Sequence, residues 1–279
     1  MNHFKITAAF LAMSAVLSAC GGGGSSTEDN QQITSVDVRA LAYSRQAVVF
    51  ISGTYLRANM TATTGVCKDP VFNMSQSTPQ LAVLNCTVTV TGEQPLTITG
   101  SNGKVLYSGT IVVPQPQVEL VTSQGSVVVE LNPAAALVSV NNFLTYANSG
   151  FYNNTLFHRV IAGFVAQGGG YTRGLVKKVE QLPPIVLESN NGLFNTRGTL
   201  AMARGNLPNS ATSEFYVNLV DNRSLDYQSP ANPGYAVFGK VVNGLEVIDK
   251  IGALPTTSVG GFANVPTADV TIQLALQVK

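Results

Sequence analysis

Charged side chains are scarce in this sequence, at 11% of the residues, and their signs nearly cancel, with 16 Lys and Arg against 15 Asp and Glu. Recognition of nucleic acid or of an anionic lipid surface by long-range attraction needs a clear basic excess. The composition therefore excludes nucleic acid as a partner and indicates that partners are selected by shape and local contacts. The 279 residues suffice for one large domain or two ordinary ones with a substantial core.

Histidine and cysteine are also rare, with two and three copies. Beyond the first 19 residues His158 is the one histidine, and no Cys-x-x-Cys spacing occurs, so neither a metal nor a cofactor is expected. The Gly-x-Ser-x-Gly of many hydrolases and the Gly-Lys-Ser/Thr of phosphate-binding loops are absent as well. These absences argue against a hydrolase and against a phosphate loop.

Residues 1–19 have the organisation of a secretory signal peptide. A weakly basic start precedes an apolar run, residues 6–16, that is too short to span a bilayer. The Leu-Ser-Ala-Cys ending at Cys20 resembles a bacterial lipobox, which implies a lipid on Cys20 and a membrane anchor. An ordinary signal peptide with a chance cysteine is the alternative. Residues 20–32 are predicted to be a flexible lipidated linker, and Gly21 favours the outer over the inner membrane, with the chain facing the periplasm.

The other two cysteines, Cys67 and Cys86, are an even pair in a chain predicted to be exported, which predicts a disulfide. Closing a loop of this size stabilises the fold by about 3 kcal/mol in the chain-entropy model. Cys86 shares its parity with Val88, while threonines alternate with both. The bond is therefore expected on the buried face of a strand.

Residues 33–113 contain short alternating runs separated by turn residues. The predicted strands are 36–42, 47–51, 56–61, 81–90, 96–99 and 105–113. They predict a small β-sandwich of immunoglobulin-like architecture, although the cysteine spacing is too short for the inter-sheet bond of antibody domains. The region shows no clustered catalytic residue types, so a spacer or docking role is expected, with a ligand-binding adhesin role as the alternative. The Pro-Gln-Pro of residues 114–116 is a stiff joint.

Residues 117–279 form the second predicted domain. Asn132 is expected to cap a helix that Gly150 ends. A second short helix is predicted over 244–251. The buried face of the first helix is expected to comprise Leu137, Val140, Leu144 and Ala147. Val270, Ile272, Leu274, Leu276 and Val278 alternate with other residues and predict one face of a terminal strand.

The stretch 157–170 places an Arg and a Gln eight residues apart in an apolar run. Two strands joined at Ala162-Gly163 would put Arg159 and Ile161 on one face and His158 on the other. An unpaired guanidinium is costly to bury, so Arg159 is expected to face a cleft. A salt bridge at a sheet edge is the alternative.

This stretch closely resembles the signature of the cyclophilins, the β-barrel peptidyl-prolyl isomerases. Further similar blocks follow in the family's order, at 190–193, 195–203, 213–218 and 235–241. The resemblance covers roughly residues 115–279. It implies an all-β chain: a cyclophilin-like closed β-barrel with two capping helices, preceded here by the small β-sandwich. It also implies an isomerase that acts on proline-containing polypeptides, needs no cofactor and assists the folding of exported proteins, and a monomer is expected.

Isomerisation of an X-Pro amide requires rotation over a barrier of about 18–20 kcal/mol, and a catalyst must bind the twisted amide better than either planar form. By resemblance, Arg159 donates to the prolyl nitrogen, and Phe164 and Gln167 complete the catalytic set. The remaining predicted substrate-binding residues are His158, Ile161, Val165, Ala203, Arg204, Glu214, Tyr216, Leu225 and Tyr235.

Four residues depart from the family pattern. Glu214 stands where Gln is usual, Tyr216 where Phe is usual, Val165 where Met is common, and Ser224 where an aromatic is usual. Glu214 could pair with Arg159 and either orient it or compete with the substrate. The missing aromatic at Ser224 predicts weak cyclosporin binding with isomerase activity kept. These departures leave a rival hypothesis, a proline-peptide binding or chaperone module with weak or no catalysis.

Overall fold

A computed structural model describes residues 30–56 and 59–279, and the predictions for residues 1–19 and Cys20 lie outside this part of the chain. The chain divides into two compact units, the first ending at Pro114 and the second beginning at Gln115. The first strand begins at Gln32, and Gln31 is buried, so these two residues are not part of the flexible linker predicted over 20–32.

Within its described residues the first unit consists of seven strands in two antiparallel sheets. One sheet has the order β1-β2-β5-β4 and the other the order β3-β6-β7. The strands are β1 (Gln32–Arg39), β2 (Gln46–Thr54), β3 (Thr61–Thr64), β4 (Cys67–Phe72), β5 (Leu81–Val88), β6 (Gly92–Thr99) and β7 (Val105–Val113).

One hydrophobic cluster joins the two sheets of this unit. Ile51 in β2, Leu84 in β5 and Ile98 in β6 are fully buried in it, as period-two alternation requires. Cys67 and Cys86 form the disulfide between the neighbouring strands β4 and β5, and Cys86 is buried on the cluster side. Two sheets around one core give the first unit a sandwich-like arrangement.

Two strand predictions in this unit differ from the structure. Of the predicted strand over 56–61, the described residues Leu56 and Met60 are buried but lie outside any strand, and β3 begins only at Thr61. β4 was not predicted from the sequence, because its polar residues break the alternation and its pairing with β5 shifts register between Lys68 and Val71.

The described residues of the second unit form one large sheet, a separate hairpin and two α-helices. The sheet has the order β11-β12-β16-β15-β17-β9-β8-β20-β10-β13-β14, and the hairpin is β18-β19. The strands are β8 (Gln117–Thr122), β9 (Gly125–Leu131), β10 (Thr155–Leu156), β11 (Arg159–Ile161), β12 (Val165–Gly168), β13 (Tyr171–Thr172), β14 (Val176–Lys177), β15 (Thr199–Met202), β16 (Phe215–Asn218), β17 (Val237–Asn243), β18 (Thr256–Val259), β19 (Phe262–Pro266) and β20 (Thr271–Gln277). The helices are α1 (Leu137–Asn148) and α2 (Leu245–Gly252), and a 3-10 turn spans Arg223–Leu225.

The large sheet curls into a half-barrel, which corrects the expectation of a closed barrel. Within the described chain its end strands, β11 and β14, are not paired with each other. Strands β10, β13 and β14 are only two residues long, too short to carry a ladder across the gap. Two backbone hydrogen bonds connect the two ends of the sheet, from Gly169 N to Leu156 O at 3.3 Å and from Lys178 N to Gly170 O at 2.9 Å. A Cβ on Gly168 would lie 2.9 Å from the Leu156 carbonyl oxygen, so this approach needs glycine.

Helix α1 covers an aromatic core. Phe143 lies edge-on to Phe215 of β16, with ring centroids 5.3 Å apart, and both rings are fully buried. Burying a Phe side chain stabilises the fold by about 1.5–3 kcal/mol. Because successive strand residues face opposite sides, a Phe215 turned toward α1 leaves its neighbour Tyr216 facing away from the helix. The core thus positions one residue of the predicted site.

The beginning of α1 differs from the prediction. The helix starts at Leu137, which is 50% exposed rather than buried, and the Asn132 side chain accepts a hydrogen bond from Ala135 N in the preceding turn instead of capping the helix. The Glu188 carboxylate accepts from the free N–H groups of Val138 and Ser139, at 3.0 and 2.8 Å. An anion at this end also interacts favourably with the helix dipole.

The terminal strand β20 keeps its predicted position but not its alternation. Its pairing with β8 shifts register between Ile272 and Leu274, so Ala275 is buried and Leu276 is 44% exposed. A one-residue bulge reverses the faces of all later residues. The prediction that Leu276 shares a face with Ile272 is therefore wrong.

Candidate functional site

The site is built on the hairpin β11–β12. Arg159 pairs with Gln167 and Ile161 with Val165, and Phe164 N closes the turn by donating to Ile161 O at 3.0 Å. Gly163 occupies the turn with φ of 69°, a left-handed conformation that glycine adopts without strain. Arg159 and Ile161 are partly exposed, whereas Val160 between them is fully buried.

Register carries this face across four further strands. Arg159 pairs with Gln167, Gln167 with Tyr216, Tyr216 with Ala201, and Ala201 with Val237. Directly paired residues of antiparallel strands point to the same side of a sheet. The five side chains therefore form one row across the half-barrel, with the guanidinium at its open edge and apolar groups inward.

An apolar cluster surrounds the inner part of this row. Its buried members are Val165, Ala201, Ala203, Tyr216 and Val237, and Phe164, Leu193, Leu225 and Tyr235 pack against it with part of their surface exposed. Six of these nine residues belong to the predicted site, while Ala201, Leu193 and Val237 do not. Ala201 joins the site because it pairs with Tyr216, and Val237 joins it because it pairs with Ala201. Local sequence does not contain these pairings.

A chain of hydrogen bonds runs behind Arg159. Its Nη1 donates to Gln167 Oε1 at 3.2 Å, and Gln167 Nε2 donates to Glu214 Oε2 at 2.8 Å. The same Glu214 oxygen lies 3.3 Å from His158 Nε2. Two predicted alternatives gave Arg159 a salt bridge, at the sheet edge or with Glu214. Among the described residues Arg159 forms no salt bridge, and its side chain bonds to the neutral amide of Gln167 instead.

Burial raises the pKa of Glu214, but hydrogen bonds from His158 and Gln167, with the positive charge of Lys177 nearby, lower that pKa by more, and the net shift is downward. The side chain is 20% exposed. Glu214 is therefore a carboxylate at neutral pH, and a carboxylate can only accept hydrogen bonds.

A polar network anchors the ring of Tyr216. The hydroxyl donates to Asn195 Oδ1 at 2.7 Å, and Asn195 donates to Asp226 Oδ1 through its backbone N–H at 2.7 Å and its Nδ2 at 3.1 Å. Burial raises the pKa of Tyr216 well above its ordinary value, so the phenol stays protonated and remains a donor. Sequence reasoning missed Asn195 and Asp226, although Asn195 begins one of the blocks that carry the resemblance.

The rim of the cluster contains the remaining predicted residues. The Arg204 guanidinium lies 4.6 Å from the ring centroid of Tyr235 and donates twice to Gly234 O, at 3.0 Å each. Ala203 N donates to Glu214 O at 3.0 Å. Ser224 lies exposed in the 3-10 turn beside Leu225.

The arrangement offers a fixed cationic donor beside an apolar surface. Over residues 30–56 and 59–279, no group of three or more His, Cys, Asp or Glu residues is placed to hold a metal ion. In the same part of the chain no helix is both long and apolar enough to traverse a bilayer. Together these side chains can hold a ligand without a covalent bond, with a cationic hydrogen-bond donor at one end and an apolar surface at the other.

Comparison with known proteins places the second unit in one family. The model of the cyclophilin type peptidyl-prolyl cis-trans isomerase/CLD family matches residues 117–276. The chain is 49% identical over 160 residues to peptidyl-prolyl cis-trans isomerase A of Dickeya dadantii, which covers 57% of this chain and 83% of that protein. Identity to isomerase B of Escherichia coli is 48% over 154 residues, or 54% and 93%. A Cryptosporidium parvum cyclophilin type isomerase, crystallised in the presence of the dipeptide Ala-Pro, is 26% identical with a TM-score of 0.51, covering 58% and 99%.

Proposed function

The chain belongs to the cyclophilin-type peptidyl-prolyl cis-trans isomerases, and on that premise we propose that Arg159 is the donor that stabilises the twisted X-Pro amide. The isomerase activity is that of the family; the residue roles are our assignment. The observation that carries it is the row formed by Arg159, Gln167, Tyr216, Ala201 and Val237. It sets a guanidinium at one end of an apolar surface.

Twisting the amide localises a lone pair on the prolyl nitrogen, which becomes a hydrogen-bond acceptor only near the transition state. A guanidinium stays charged and presents several donors in a rigid plane. Arg159 uses Nη1 to bond Gln167, which leaves its other N–H groups for the substrate. A donor that meets its acceptor only in the transition state lowers the barrier without tightening ground-state binding.

The other predicted residues divide by position. Phe164, Val165, Tyr216 and Leu225, joined by Ala201, provide the surface for the pyrrolidine ring. Gln167 has a second amide N–H besides the one donated to Glu214, and this one would hold the substrate backbone next to the proline. Ala203, Arg204 and Tyr235 border the surface for the residues that precede the proline. Ile161 is partly exposed on the same strand as Arg159, whereas His158 is buried beside Glu214.

The assay that tests this assignment uses protein that lacks residues 1–19 and has Cys20 replaced. Cis-to-trans exchange and affinity are measured on the same X-Pro tetrapeptide. We expect rapid exchange with weak ground-state affinity, since binding energy is used in the transition state. Tight binding with exchange at the uncatalysed rate would favour the rival, a proline-peptide binding or chaperone module.

We also propose that this isomerase assists the folding of exported proteins from a lipid anchor on Cys20, at the periplasmic face of the outer membrane, as a monomer. The lipobox-like residues before Cys20 support the anchor, and the Cys67–Cys86 disulfide suits an oxidising compartment. The two sheets of the first unit around one core support an immunoglobulin-like spacer between anchor and isomerase.

Labelling a Gram-negative host with a radioactive fatty acid tests the anchor. The full chain should incorporate label and sediment with outer-membrane vesicles, whereas Cys20→Ala should not incorporate it. Equal labelling of both forms would refute lipidation at Cys20, and sedimentation with inner-membrane vesicles would refute the outer-membrane assignment. Size-exclusion chromatography with light scattering tests the monomer.

A further inference from the structure

Glu214 occupies the junction between the site and the wall of the half-barrel. Its side chain accepts from Gln167 Nε2 at 2.8 Å and lies 3.3 Å from His158 Nε2, while its carbonyl oxygen accepts from Ala203 N at 3.0 Å. Because the Glu214 carboxylate can only accept, His158 Nε2 carries the proton directed at it, while His158 Nδ1 is buried without a hydrogen-bond partner among the described residues. All three contacts face residues of the predicted site.

The polarity of this chain follows from the chemistry of its ends. Arg159 can only donate and the Glu214 carboxylate can only accept, so the amide of Gln167 between them has one satisfying orientation, with Oε1 on Arg159 and Nε2 on Glu214. A Gln at position 214 could donate or accept and would permit the amide to turn over. In the turned form the Gln167 amide N–H would face the guanidinium, and Arg159 would lose its partner.

The backbone provides room for this arrangement at Gly170. A Cβ on Gly170 would lie 2.5 Å from Glu214 Cγ, 2.7 Å from Cδ and 2.8 Å from Oε1. These are the three nearest heavy atoms, and all belong to Glu214. The carboxylate therefore rests directly on the glycine, and any larger residue there must displace it. Gly170 is buried, so a methyl group added there would meet Glu214 rather than solvent.

We propose that Glu214 is a positioning residue for the isomerase reaction: supported by His158 and Gly170, it fixes the Gln167 amide so that Arg159 is held in the orientation that meets the prolyl nitrogen. In this role Glu214 acts through Gln167 rather than by direct contact with the substrate, which replaces the substrate-binding role predicted from the sequence. The inference rests on the proposed role of Arg159. It means that Glu214, in place of the usual Gln, orients the guanidinium and does not compete with the substrate for it.

A double-mutant cycle between Glu214→Gln and Gln167→Ala tests the proposal, with kcat and KM measured by exchange NMR on an X-Pro tetrapeptide. Alone, Glu214→Gln should lower kcat about fivefold with KM nearly unchanged, ~1 kcal/mol in activation free energy. In the Gln167→Ala background the same change should have almost no effect, since the group that Glu214 acts through is gone. Glu246→Gln, an exposed carboxylate in α2, is the matched control for the lost charge.

Gly170→Ala provides an independent arm that leaves the chemistry of position 214 intact. It should lower kcat in the wild type by displacing the carboxylate, and it should be nearly silent in Glu214→Ala, where the atoms it would meet are absent. Thermal unfolding of each variant separates a loss of folded protein from a loss of kcat.

Three results would overturn the proposal. The first is a loss of kcat from Glu214→Gln that is equally large in the Gln167→Ala background, and the second is an unchanged or higher kcat in Glu214→Gln alone. The third is a loss of kcat from Gly170→Ala that persists in Glu214→Ala. Arg159→Ala measured in parallel keeps the two assignments apart. Full activity of Arg159→Ala would refute the role of Arg159, whereas an inactive Arg159→Ala together with additive effects would refute only the role of Glu214.

Discussion

Replacing Arg159 by Ala is the sharpest test of the site, because its effects on rate and on stability should differ widely. In the described structure the side chain makes one hydrogen bond, to the neutral Gln167 amide at 3.2 Å. A bond of this kind contributes about 1 kcal/mol to folding. For a domain of this size such a loss lowers the unfolding temperature by about 2–4 °C.

The effect on rate should be much larger. Removing one preorganised donor aimed at developing charge typically costs about 10²–10³-fold in kcat, or about 2.7–4 kcal/mol. Because the prolyl nitrogen becomes an acceptor only when the amide is twisted, kcat and kcat/KM should fall together while KM stays nearly constant. Arg159→Lys keeps the charge but loses the planar fork, and it should fall between the wild type and Arg159→Ala.

Exchange NMR on a tetrapeptide measures both isomers at equilibrium and needs no coupling protease. Arg173→Ala serves as the control, since it removes an arginine of the same unit whose side chain is 87% exposed and paired with Asp269. We expect less than a twofold change there. If Arg159→Ala loses less than tenfold while remaining folded, the guanidinium is not the principal donor and the reasoning fails.

Three further predictions concern stability and inhibition. Replacing both Cys67 and Cys86 by Ser should lower the free energy of unfolding of the first unit by about 3 kcal/mol, because the bond closes a loop with a sequence separation of 19, and an unchanged urea midpoint would contradict this. Cyclosporin should bind with Kd above about 1 μM by calorimetry, because Ser224 presents no aromatic ring. The Ser224→Phe variant should bind cyclosporin more tightly, and nanomolar binding by the wild type would refute this explanation. Burial raises the pKa of Asp226, but hydrogen bonds from Asn195 and from the Arg223 guanidinium lower that pKa by more. The ionised Asp226 therefore stabilises the fold fully above the ordinary carboxyl pKa, and this stabilisation is lost as the pH falls through the lowered pKa of the folded protein. Asp226→Asn should therefore flatten the acid limb of the stability profile measured by urea unfolding, and superimposable profiles would exclude that role.

Local sequence was sufficient for features made by neighbours in the chain. The hairpin of Arg159 and Gln167 follows from alternation on either side of a glycine turn, and the structure pairs these two residues directly. The second helix was placed within one residue, since Gly244 immediately precedes α2. The disulfide followed from an even cysteine count and from the parity of Cys86. The hairpin and the start of the helix are set by close neighbours in the chain, whereas the disulfide joins residues 19 apart and was predicted from the number and parity of the cysteines.

Features set by residues far apart in sequence could not be predicted in this way. The partner of Gln167 is 47 residues away, and the hydroxyl of Tyr216 finds Asn195 21 residues before it. Helix α1 takes the Glu188 carboxylate at its first turn because the fold brings it there, not Asn132 as the adjacent sequence suggested. The bulge in β20 depends on its pairing with β8, so the exposure of Leu276 could not be predicted from the alternation within β20.

The sequence by itself thus determined which side chains could perform the chemistry: a guanidinium and an amide on one face of a hairpin, within blocks characteristic of one isomerase family. Tertiary structure alone decided how those groups are held. Hydrogen-bond direction depends on which donors and acceptors are brought within about 3 Å, and that depends on strand register across the whole sheet. For this reason Glu214 lies on Gln167 and Gly170 rather than on Arg159.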